Sequence, residues 1–109
     1  MSATATIPVT VTPEAAALLA ELGKQAEFEQ MVAKAKEVTP YLRAIHVALA
    51  YDPEGAMEPQ VVIQAHRDDT DWQSDHSSWD FDHWQVRTFP PEVCLRFGMD
   101  VWFEAAHGR

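Results

Sequence analysis

The chain has a single cysteine, Cys94, in 109 residues, so it can hold neither an internal disulfide nor a zinc site built from several of its own thiolates. Its four glycines are scattered, and none forms a Gly-rich loop of the kind that cradles phosphates. Bases are scarce: eight Lys and Arg stand against 17 Asp and Glu, for a net charge of −9. A field of that sign repels phosphate backbones and anionic lipid, which disfavours nucleic-acid and membrane partners. No apolar run approaches the ~18 residues of a membrane span. The opening MSATATIPVTVT lacks both a basic n-region and an apolar core, so no export signal is visible. These absences together predict a cytoplasmic chain.

What is present is enough to fold. Hydrophobic residues make up 47% of the chain and include four Trp, five Phe and two Tyr, which argues against a disordered acidic chain. The length suits one core, and no internal repeat or Gly/Ser linker divides it. The expectation is one α+β domain over residues 1–109, frayed at both ends.

The alternating start TIPVTVT is a candidate strand, and TPE then signals a helix. Thr12 can cap it, Pro13 suits its first position and Glu14 favours its positive end. Leu18, Leu19 and Leu22 form a stripe, and Gly23 is placed to end the helix. A second helix follows, with Phe28, Met31, Val32 and Ala35 at helical spacing and Pro40 beyond it. From Tyr41 to Tyr51 the pattern changes to period two, DPEG supplies turn residues, and Val61, Ile63 and Ala65 return along an antiparallel strand. Near the C-terminus the reading gives a short helix from Glu92 to Phe97, a stop at Gly98 and a last strand with Met99, Val101 and Phe103 alternating. The predicted architecture is therefore a small antiparallel sheet, a central hairpin with the C-terminal strand and a candidate N-terminal one, with helices packed on one face.

The stretch DDTDWQSDHSSWDFDH, residues 68–83, carries six aspartates and no Lys or Arg, which accounts for −6 of the net charge. Read as a helix over 70–86, it places Trp72, His76, Trp79, His83 and Val86 on one face, directed at the sheet, with Asp71, Asp75 and Asp82 toward water. Trp84 departs from that face and is the first hint of a contact surface. His76, Asp80 and His83 make a candidate open site for a divalent transition metal, because residues three and four apart project together. An EF-hand is excluded, since DDTDWQSDHSSW has neither the central glycine nor the closing glutamate. Cys94 in EVCLRF reads as a packed small hydrophobe, and Ser77 and Ser78 beside His76 form no recognisable triad. His46 and His66 alternate out of phase with Ile45, Val47, Ile63 and Ala65, which puts both on the less apolar sheet face. Whether they are neighbours depends on the hairpin register.

Two readings of function follow. In the first, a non-catalytic domain without a cofactor presents an acidic, Trp-bearing surface to a basic protein partner, as an inhibitor or antitoxin-like neutraliser would. Asp71, Asp75, Asp80 and Asp82 steer the partner and Trp79 and Trp84 anchor it. A homodimer through an exposed edge strand, MDVWFE or TIPVTVT, belongs to the same class. In the second, the chain is a metal-dependent enzyme or sensor that uses His76, Asp80 and His83. Against both stands a plain structural role, in which the aspartates are a solvated helix face and the tryptophans are core.

Overall fold

Thr12 and Pro13 start the first helix as their chemistry requires. In the computed structural model, which describes residues 7–104, the Thr12 hydroxyl accepts from the Ala15 N–H at 3.1 Å and α1 runs Pro13–Leu22. Gly23 ends it with φ +66°, the left-handed region a glycine enters without Cβ strain. The second helix, α2, covers Gln25–Val38 and buries Phe28, Met31 and Ala35. Two further helices follow in the C-terminal half, α3 over Ser77–Thr88 and α4 over Pro91–Cys94. The strands are β1 Val9–Val11, β2 Leu42–Ala50, β3 Gln60–Arg67 and β4 Phe97–Phe103.

The fold is α+β, with the central hairpin extended by a strand on each side in the order β1-β2-β3-β4. β2 and β3 are antiparallel, with Val47 opposite Ile63, and the Asp52 side chain and carbonyl organise the turn around Gly55. The sheet is mixed, however, and not wholly antiparallel: β1 runs parallel to β2 and β4 parallel to β3. The reason lies in the connections. Each outer pair is joined through two helices, and a helical crossover returns the chain to the same end of the sheet. All four helices share one face while the two parallel pairs run in opposite directions, so the two crossovers have opposite hands. One of them is therefore of the rare left-handed kind.

One core lies between that face and the helices. Ile45, Val47, Val61, Ile63, Ala65, Phe97 and Met99 meet Leu19, Phe28, Met31, Phe81 and Val93 there. The opposite sheet face carries His46, Gln64, His66, Asp100 and Trp102, and no helix among the described residues lies over it. Two local expectations shift near the C-terminus. The last helix stops at Cys94, and Gly98 does not stop a helix but sits inside β4 opposite Val62. The terminal AAHGR lies outside the described residues. No helix among the described residues is long and apolar enough to cross a membrane.

The largest change concerns residues 68–88. A 3₁₀ turn, Trp72–Ser74, and a break at Asp75 and His76 precede α3, so Trp72 and His76 do not share its face. Trp79, His83 and Val86 do share a face, but it points outward, because α3 buries Ser77, Phe81 and Gln85 instead. Phe81 is 0% exposed and Trp79 61%. Truncating Phe81 to Ala is therefore expected to cost about 3–5 kcal/mol, whereas Trp79→Ala should change stability by about 0.5 kcal/mol or less. Urea denaturation of the two variants compares them directly, and a reversed ranking would contradict this orientation of α3.

Candidate functional site

The acidic stretch divides into two sets of aspartates, and Arg67 at the end of β3 makes the division. Arg67 continues the core-facing row of Val61, Ile63 and Ala65 and is only 3% exposed, so its charge requires partners inside the fold. Asp69 supplies a two-pronged pair, 2.8 Å from Nε and 2.7 Å from Nη2, and Asp75 approaches Nη1 at 2.5 Å. The guanidinium also lies 4.7 Å from the Phe103 ring centre. Burial pulls the Arg67 pKa down, and the two aspartates more than offset it, leaving the group above its ordinary value.

Asp75 has a second task. Its Oδ1 accepts from the Ser77 backbone N–H at 3.1 Å and from the Ser77 hydroxyl at 2.5 Å, which gives the first turn of α3 the acceptor that His76 does not provide. Asp75, one of the residues expected to steer a partner, is thus engaged within the fold, and so is Asp69. The remaining four, Asp68, Asp71, Asp80 and Asp82, are exposed.

With that start fixed, the outer crest of α3 carries Trp79, His83 and Val86. The Trp79 and His83 rings are in contact, with centres 3.9 Å apart, and Val86 is 63% exposed one turn further on. Asp82 flanks the crest on the β4 side and Asp80 on the α2 side. Trp84, the other predicted anchor, lies lower and packs between Phe81 and Phe89, with the Lys34 ammonium 5.7 Å above its ring. Trp79, Asp80, His83 and Trp84 nevertheless line one groove of about 460 Å³ between α2 and α3, together with Lys34, Val38 and Arg87. Trp72 projects from the 3₁₀ turn beside Asp71 and is 65% exposed.

The metal set fares differently. His76 precedes the helix and His83 lies nearly two turns further along it, its ring tilted against that of Trp79. Among the described residues no three His, Cys, Asp or Glu side chains stand close enough to hold a metal ion. Cys94 Sγ contacts the carbonyls of Gln85 and Phe89, and burial pushes its pKa up, which keeps it a neutral thiol.

Asp82 is the one exposed acid on α3 held in an unfavourable setting. Partial desolvation against β4, and the negative charge of Asp100 behind it, raise its pKa above the ordinary carboxylate value.

A second polar cluster occupies the uncovered sheet face. The register sets His46 opposite Gln64 and His66 opposite Ala44, so the two histidines are diagonal neighbours and not a direct pair. Each has its Nδ1 engaged: His46 with the Thr10 hydroxyl at 2.8 Å, and His66 with Glu104 Oε2 at 3.0 Å. Arg43 holds the other Glu104 oxygen, and the Trp102 ring stacks on His66 with centres 5.5 Å apart. The hydrogen bond to His66, with Arg43 and His66 charge in support, lowers the Glu104 pKa. The alternation of His46 and His66 was visible in the sequence. Thr10, Arg43 and Glu104 carried no signal there, because they come from β1, from β2 and from just after β4.

Removing one member of the buried group should be severe. Arg67→Ala leaves two carboxylates facing each other and is expected to cost about 3–5 kcal/mol, while the exposed Asp71→Asn should stay within about 0.5 kcal/mol. Equilibrium unfolding of both variants reads the difference. The two perturbed acids predict opposite pH effects. The folded pKa of Glu104 is lowered, so its contribution is present above the unfolded carboxylate value and is lost as pH falls through the folded one. Glu104→Gln should therefore flatten the acid limb of the stability curve. The folded pKa of Asp82 is raised, so its ionised form opposes folding at neutral pH, and Asp82→Asn should raise the melting temperature there.

Comparison of the chain with protein-family models, with curated proteins and with solved structures finds no match.

Proposed function

We propose that this chain is a non-catalytic protein-interaction domain whose outer α3 surface receives a basic protein partner, in the manner of an inhibitor or neutraliser of a protein with a cationic site. One observation carries the reading. The helix presents Trp79, His83 and Val86 to water as a continuous crest, although a second face of the same helix already serves the core. A solvated helix needs charges there, not a 61% exposed indole.

The surroundings indicate the partner's sign. Asp80 and Asp82 border the crest, and Asp68 and Asp71 stand with Trp72 just before it. Lys34 and Arg87 are the bases in the adjoining groove, and Lys34 is already paired with Glu37. Such a field speeds encounter with a basic surface, while the desolvated indole supplies most of the affinity. The strained ionisation of Asp82 fits the same role, because a partner's Lys or Arg would relieve it.

The test is a paired capture from native-host lysate, with the tagged chain and its Trp79→Ala and Asp80→Lys/Asp82→Lys variants as bait at low and moderate salt. A basic protein held stoichiometrically by the parent, released by salt and lost from both variants would support the surface. Trp79→Ala should act mainly by faster dissociation, and the charge reversal by slower association. An identical set of proteins on all three baits would overturn it.

A further inference from the structure

The sheet face opposite the proposed interface has a different character. His46, Gln64 and His66 alternate with core residues along β2 and β3, and Thr10 pairs with His46, so all four stand on the side that no helix among the described residues covers. They border a hollow of about 390 Å³ together with Pro8, Ala44, Arg43 and Glu104. Ala44 gives a low floor, and Pro8 and the ring faces of the two histidines make the walls largely apolar.

The polar groups in this hollow are unevenly engaged. Glu104, its one carboxylate, has both oxygens occupied, one by Arg43 and the other by His66. What stays open as donor capacity is the further N–H groups of Arg43 and the Gln64 amide. His66 Nδ1–H donates to Glu104, which leaves Nε2 unengaged and, in the neutral ring, an acceptor, and the Thr10 hydroxyl meets His46 Nδ1, which leaves the Nε2 of that ring unengaged too. The acids Asp80 and Asp82 belong to the helical layer on the other side of the sheet. Asp100, opposite Gln64, is the one carboxylate on this face not already shared with Arg43 or His66.

We infer that this hollow is a binding site for a small organic carboxylate, with the carboxylate on Arg43 and Gln64 and the apolar body against Pro8, Ala44 and the His66 ring. A concave, largely apolar surface with a few converging polar groups is the usual form of a small-ligand site. Arg is suited to the carboxylate because it offers several donors in one plane.

Benzoate is the probe, with acetate and benzyl alcohol as controls for the charge without the body and the body without the charge. Imidazole and indole NMR signals of the full chain report on the site. The expected result is a saturable benzoate shift at His46, His66 and Trp102, weakened about tenfold by Arg43→Gln. His46→Gln gives an independent test on the neighbouring strand position should Arg43→Gln disturb the fold. Benzoate shifts that do not saturate, that acetate or benzyl alcohol reproduce with equal affinity, or that both variants retain would overturn the inference.

Discussion

Arg67 is the interaction on which the functional half of this molecule is arranged. A guanidinium at the end of a core-facing strand row cannot remain unpaired at 3% exposure, so the chain that follows must bring carboxylates back to it. Asp69 does so through the turn directly after β3, and Asp75 after the 3₁₀ turn. Because Asp75 also accepts from Ser77, the ion pair sets where α3 begins and how it is rotated. Phe81 then enters the core and Trp79 points to water. The surface proposed for partner binding is thus a consequence of neutralising one buried charge.

The same hub gathers features that have no other evident purpose. Tyr41 adopts a positive φ of 57°, unusual for a bulky residue, at the point where β2 begins. Its carbonyl accepts from Asp68, and its ring lies 6.0 Å from the Arg67 guanidinium. The strain at Tyr41 is therefore matched by contacts to the end of β3 and the turn beyond it. On the reverse face, Arg43, His66 and Glu104 tie three consecutive strands at the same end of the sheet. One end of the sheet thus holds a buried ionic cluster on its covered side and a solvated one on its open side.

Much of the architecture was legible because it rests on local chemistry. Thr12, Pro13 and Gly23 bracket α1, the period-two run after Tyr41 became β2, and DPEG became the hairpin turn. The parallel pairing of the outer strands was less legible, although the two intervening helical pairs implied it. Of the expected stripe, Trp79, His83 and Val86 were correctly grouped, but Trp72 and His76 lie before the helix and the direction of the face was reversed. Helical periodicity identifies which residues lie together but carries no sign, and α3 has a second face, Ser77, Phe81 and Gln85 with Trp84 beside it, that fits the core better. Gln85 shows why composition misleads here: a polar residue is buried because its amide donates to the Phe97 carbonyl at 3.0 Å.

By itself the sequence determined the α+β class, the hairpin, the scarcity of bases and the concentration of acid in residues 68–83, since these follow from composition, capping residues and short-range periodicity. It also separated His46 and His66 from the core face. Only the tertiary structure decided which aspartates are engaged and which are exposed, which tryptophan packs against the core, and that Thr10, Arg43 and Glu104 meet the two histidines. Those outcomes depend on strand register and on where a buried Arg67 finds its counter-charges. Such pairings join residues distant in sequence, and their energies exist only once the sheet has closed around them.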